Sequence, residues 1–146
     1  MYSKKILYTN YNGEKRERKF YFNLNKAELL DMELTTRGGY QNFIERIIET
    51  GDQEELIRLF RELIQKSYGV KSDDGEMFIK NEQVLNEFIQ TEAYSELYVE
   101  LATNADSAAE FVNGIMPPAL MAELEKDPEY KAKLEEYKKM AQGPQN

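Results

Sequence analysis

Residues 91–116 read TEAYSELYVELATNADSAAEFVNGIM, and they decide the fold class. Tyr94, Leu97, Tyr98 and Leu101 recur at helical spacing and form one apolar stripe. Thr91 precedes them as an N-cap, its hydroxyl placed to accept from a first-turn amide that has no partner within the helix. A second pattern starts at Asn104 or Asp106, with Ala105, Ala108, Ala109, Val112 and Ile115 on one side and Phe111 adding bulk. Asn113-Gly114 is its stop signal, and Pro117-Pro118 forbids continuation. The corner at residues 104–107 leaves room only for a tight turn, so a helical hairpin in the densest part of the core is expected.

Upstream, the same periodicity repeats. Val84, Leu85, Phe88 and Ile89 point one way from a helix that starts near Asn81. Leu56, Leu59, Phe60, Leu63 and Ile64 mark another, opened by Asp52 and first-turn acids that suit the helix dipole and closed by Tyr68-Gly69. Tyr40, Phe43, Ile44, Ile47 and Ile48 mark a third, ended by Gly51. Asn25-Lys26-Ala27-Glu28 has the form of a capping box ahead of a fourth, which stops at residues 35–39. Between helices, residues 71–80 (KSDDGEMFIK) hold a turn, with residues 76–79 as a short strand or an extended link. Asp73 and Asp74 lack the alternating oxygen ligands and closing glutamate of a calcium loop.

At the start of the chain, residues 5–9 and 15–23 alternate like strands around Asn12-Gly13, a type I′ hairpin signal. Ile6 and Tyr8 share a face with Phe20 and Phe22. An isolated hairpin is marginal in water, so this face is expected to lie on the helices. After Pro118 the texture becomes charged, with a thin stripe of Tyr130, Leu134 and Tyr137 backed by Lys/Glu pairs. This reads as a protruding C-terminal helix with a disordered end. The expected fold is therefore mainly α: a β-hairpin over residues 4–23 packed on about five to six short helices over residues 26–116. These form one domain, 1–117, followed by a charged helical extension, 118–146.

Composition narrows the chemistry. The 146 residues include no histidine and no cysteine, which removes the commonest general base, thiolate nucleophiles and disulfides. No apolar run approaches the roughly 18 residues of a membrane span, and the first ten residues lack the apolar stretch of a signal peptide. A net charge of −8 argues against general affinity for nucleic acid. The charge is uneven: residues 1–26 hold seven basic and two acidic side chains, residues 27–116 seven basic and nineteen acidic. A basic ribbon on an acidic body can orient assembly with copies or partners, or be only a solvated, charge-edged hairpin.

Glu92, Glu96 and Glu100 stand four residues apart and share one helical face. Such a row serves as a metal or acid/base site only with further ligands or a proton carrier. Without histidine it reads as a solvated rim or as a patch for a basic partner. Gly38-Gly39 lacks the Lys-Ser/Thr of a phosphate loop. No catalytic or metal-ligating set is assigned, no cofactor is expected, and an enzyme is not. What remains is surface: Glu92, Glu96 and Glu100 as a rim, with Tyr94, Tyr98, Phe111 and Ile115 as the apolar contacts. Phe111, Ile115, Tyr98 and Met116 can equally all be core.

FYFNLNKAELLDMEL at residues 20–34, KSYGVKSDDGEMFIK at 66–80 and QTEAYSELYVELATNADSAAEFVNGIMP at 90–117 together resemble the tail assembly chaperones of long, non-contractile-tailed (siphovirus) bacteriophages and prophages of Gram-positive bacteria. The resemblance spans residues 5–117. It implies a helical, non-enzymatic factor of the host cytoplasm. Such a factor binds the tape-measure protein, keeps it soluble, helps recruit tail-tube subunits and is absent from the finished virion. A homo-oligomer is compatible with that role, whereas nucleic acid and membrane partners are not expected. The competing reading is a small acidic regulator that occupies a basic surface of a host or phage nucleic-acid-binding protein. It differs in predicting a one-to-one complex that weakens steeply with salt.

Overall fold

A computed structural model describes residues 1–116 and, beyond them, only Ala132. The extension expected over residues 118–146 therefore lies outside the described residues. Among the described residues the chain forms four strands and six helices, in two compact units.

The first unit comprises Met1–Asn23 and Ile57–Ile115. Its sheet is wholly antiparallel, in the order β1-β2-β3-β4: β1 (Tyr2–Thr9), β2 (Lys15–Phe22), β3 (Tyr68–Lys71) and β4 (Phe78–Ile79). The expected hairpin is present, but it is half of a larger sheet. Tyr68-Gly69 stops helix α3 (Gln53–Ser67) as expected and then continues directly as a strand, pairing Phe22 with Tyr68 and Tyr21 with Gly69. The turn also differs from a type I′ loop. Five residues separate Thr9 from Lys15, and the Asn10 side chain holds them by accepting from the amides of Asn12 and Glu14 at 3.0 and 2.9 Å. Only Gly13 there takes a positive φ, 79°, where a residue lacking Cβ is at ease.

Strand alternation puts Tyr2, Lys4, Ile6 and Tyr8 on the inner face of β1, with Phe20 and Phe22 on that of β2. Helices α4 (Glu82–Ile89), α5 (Glu92–Thr103) and α6 (Ala105–Ile115) pack on this side, α5 and α6 against β1 and α4 against β3. Phe22 and Phe111 are fully buried and meet edge to face at 5.4 Å. Phe88 stacks on Tyr68 at 4.1 Å. Each phenylalanine removed from water contributes roughly 1.5–3 kcal/mol, so this aromatic centre is the main source of cohesion between sheet and helices.

The helical hairpin expected at residues 91–116 is formed as α5 and α6. Asn104 alone separates them, with its Oδ1 accepting from the amides of Asp106 and Ser107 at 3.0 and 3.1 Å. Two details correct the expectation. The buried face of α6 is Ala108, Phe111 and Ile115, while Ala105 and Ala109 are exposed. Gly114 does not end the helix: it lies within it, directly against the Tyr2 ring, where a Cβ would sit 2.4 Å from Tyr2 Cδ2.

The second unit comprises, among the described residues, Leu24–Leu56 with Met116, and holds α1 (Lys26–Thr35) and α2 (Tyr40–Thr50). The Asn25–Glu28 capping box is complete in both directions, at 2.8 and 3.1 Å. Helix α2 starts after Gly39 without a side-chain cap of its own. The buried Glu33 of α1 serves instead, its carboxylate accepting from the Gln41 amide at 2.6 Å. An acid at a helix N-terminus is doubly favoured, as acceptor and as charge.

Candidate functional site

The seven residues singled out from sequence fall into three groups. Phe111 and Ile115 are core, 0 % and 1 % exposed, and their contact surface is spent on the protein's own interior. Met116 is likewise buried.

The glutamate row runs along the basic hairpin. At the far end of α5, Lys4 Nζ lies 2.7 Å from Glu100 Oε2. Burial pushes the Lys4 ammonium down, but the bond to Glu100, with Tyr2 and Glu110 nearby, outweighs it and leaves the pKa above the ordinary 10.5. One α-helical turn back, Glu96 borders an open depression with Tyr8, Thr9, Lys15 and Arg16. At the start of α5, Glu92 bonds the hydroxyl of Tyr11 in the hairpin turn and raises its pKa. Helix and strand thus run antiparallel, and each carboxylate meets a different part of the hairpin. The three do not converge, and among the described residues no trio of Asp or Glu is placed to hold a metal ion. Of the two readings of the row, a solvated rim or a patch for a basic partner, neither foresees Glu100, whose Oε2 is shut off from solvent against the chain's own Lys4. The basic ribbon is the partner of the row's two ends.

Tyr94 and Tyr98 form the third group and bring the aromatic core to the surface. The Phe88 ring meets Tyr94 edge to face at 5.6 Å, and Tyr94 lies 6.0 Å from Tyr98. Arg61, from α3, closes the series: its Nη2 donates to the Tyr98 hydroxyl at 3.3 Å and its guanidinium lies 5.8 Å from that ring. With Ser95 and Val99 these side chains line a shallow depression of about 270 Å³. Val99 is 56 % exposed, an aliphatic side chain beside two half-buried tyrosines and an arginine. Tyrosine and arginine are the residues that most often dominate binding energy at protein contacts. Sequence reading found the tyrosines but missed Arg61 and Val99. Val99 falls off the apolar stripe, a signal visible in the sequence as an aliphatic residue on the polar side; Arg61 is brought in only by tertiary packing.

Among the described residues, the Tyr94–Tyr98–Val99 depression beside Arg61 is an open aromatic surface. The chain belongs to the phage tail assembly chaperone family, whose model matches residues 1–146. No curated protein matches it, and no solved structure does. No helix of the described residues is long and apolar enough to cross a membrane.

Proposed function

We propose that this chaperone binds the tape-measure protein of a long, non-contractile-tailed phage, holds it soluble in the host cytoplasm and helps recruit tail-tube subunits. A Gram-positive host and absence from the finished virion belong to the same reading. Family membership over the whole chain supports it. The single structural observation that favours it is the Tyr94–Tyr98–Val99 surface beside Arg61. A long helical client with an apolar stripe is recognised by side chains of this kind laid along a helix face. Many weak contacts along one client hold it without tight binding at any one of them. The acidic-regulator alternative draws less support, because Glu100 is neutralised by Lys4 and Glu92 is shared with Tyr11.

The test is co-expression of the tape-measure protein of the same phage with and without this chain. The proposal predicts that the client moves from the pellet to the soluble fraction and co-purifies with the chaperone. An unchanged soluble fraction contradicts it.

A further inference from the structure

Strand β1 is an edge of the sheet, with β2 on one side only. Just beyond the Thr9–Lys15 pair, the Asn10 amide donates to the Glu14 carbonyl at 2.9 Å, so those two residues form a bonded pair. Bonded and non-bonded pairs alternate along an antiparallel ladder. Tyr2, Lys4, Ile6 and Tyr8 therefore spend their backbone groups on β2, and Ser3, Lys5, Leu7 and Thr9 turn theirs away from it. The far side of β2 has the matching phase: the Asn23 amide donates to the Ser67 carbonyl at 2.7 Å, which assigns Tyr21 to β3 and leaves Phe20 and Phe22 to β1. Among the described residues, no turn, loop or helix backbone bonds Ser3, Lys5, Leu7 or Thr9. All four are exposed, Leu7 at 69 %.

Proteins commonly blunt such an edge by keeping it short, bulging it or placing proline in it. Strand β1 runs for eight residues, pairs residue for residue with β2 and contains no proline. What it carries instead is charge. Lys5 stands opposite Lys19 on the outer face, and no ion pair among the described residues engages either. We propose that β1 takes an extended acidic segment of another protein as an added strand. The outward backbone groups of Ser3, Lys5, Leu7 and Thr9 supply the main-chain bonds, and acidic side chains beside Lys5 and Lys19 supply selection. Residues 1–23 carry six basic side chains against two acidic, so a second copy of this edge brings like charge to like, whereas an acidic strand relieves it. The net charge of −8 is screened beyond about 8 Å at physiological salt, so the local basic edge governs the contact. At the turn end of the same edge, Leu7, Tyr8, Thr9, Lys15, Arg16 and Glu96 border an open depression of about 270 Å³ that leaves room for a side chain of the added strand. The edge shares no residue with the Tyr94–Tyr98 surface and does not rest on the client reading.

Amide hydrogen exchange on the isotope-labelled full chain tests this, with a short synthetic peptide alternating glutamate and valine as the probe. Without peptide, the Lys5, Leu7 and Thr9 amides are expected to exchange faster than those of Lys4, Ile6 and Tyr8. Saturating peptide is expected to slow the first set by about tenfold or more. A peptide alternating lysine and valine is expected to leave them unchanged, as is the glutamate peptide with its backbone N-methylated. Leu7→Pro removes an outward amide that β2 does not use. It is expected to abolish peptide binding while Ile6 and Tyr8 stay protected, and the N-methylated probe asks the same question without altering the fold. Lys5→Glu is expected to weaken the glutamate peptide severalfold and to favour the lysine one. The proposal is overturned by exchange that the glutamate peptide leaves unchanged, or by binding that survives both Leu7→Pro and N-methylation. Equal slowing by a single-stranded oligonucleotide overturns it as well, as does slowing that rises with protein concentration alone, which marks a second copy as the occupant.

Discussion

Lys4 Nζ and Glu100 Oε2 lie 2.7 Å apart, joining the edge strand β1 to helix α5 on the inner face of the sheet. The Lys4 side chain is 20 % exposed and that of Glu100 39 %, so the pair is neither a dry core ion pair nor a surface one. Its attraction exceeds that of an exposed bridge, and its desolvation cost is below that of a buried one. The pair ties β1 to the helix that also carries Tyr94 and Tyr98, alongside the buried Ala93, Leu97 and Leu101 of α5.

Removing either partner alone leaves a partly desolvated charge. Lys4→Ala and Glu100→Ala are each expected to cost about 1 kcal/mol in urea unfolding, with the double variant less than additive. Glu96→Ala, an exposed member of the same row, is expected to change stability by less than about 0.5 kcal/mol. Equal losses at Glu96 and Glu100 contradict the assignment.

Stability has a definite alkaline limb. The Lys4 pKa lies above 10.5 in the folded state. Burial pushes the hydroxyls of Tyr2 and Tyr68 above 10.0. Each folded state therefore binds its proton more tightly than the unfolded chain does. The associated stability is complete below those ordinary values and is lost as pH rises through the higher folded ones. Denaturant midpoints are expected to be level from neutral pH to about 9 and to fall beyond 10. A midpoint that rises above pH 10 contradicts the burial of these groups.

Gly114→Ala tests the contact between α6 and β1. Alanine favours a helix by about 1 kcal/mol over glycine, yet here its methyl meets the Tyr2 ring. Net destabilisation of about 1–3 kcal/mol is expected from the overpacking. Tyr2→Ala alone leaves a cavity against Phe111, and the double variant is expected to be more stable than the two single losses predict. Ordinary glycine-to-alanine stabilisation at this site contradicts the packing.

Val99→Asp separates binding from folding. Val99 is exposed, so its replacement is expected to shift stability by less than about 0.5 kcal/mol. If the Tyr94–Tyr98 surface holds the client, Val99→Asp lowers the co-purified tape-measure protein severalfold while the melting temperature stays unchanged. A parallel loss of both identifies Val99 as structural.

Local signals in the sequence were faithful where the determining contact is close along the chain. Asn25, Asn81 and Thr91 cap their helices, and Asn104 turns α5 into α6, because each bond closes within three residues. Signals failed where the partner is distant. Tyr68 becomes a strand residue because Phe22 lies opposite it, and nothing near Tyr68 in sequence announces that. Gly114 reads as a helix stop until the Tyr2 ring is placed against it. The glutamate row reads as a rim because four-residue spacing fixes a shared helical face but not what faces it. Lys4 supplies that answer from 96 residues away. Of the surface, Tyr94 and Tyr98 were legible from periodicity; Arg61 required the packing of α3 on α5.

The most direct measurement of the central claim is site-specific photo-cross-linking in cells that co-express this chain and the tape-measure protein. A photoreactive residue at Val99 is expected to capture the tape-measure protein, whereas one at the exposed Asn113 of α6 is not. Equal capture at both positions, or capture at Asn113 without Val99, contradicts the assignment of client binding to this surface.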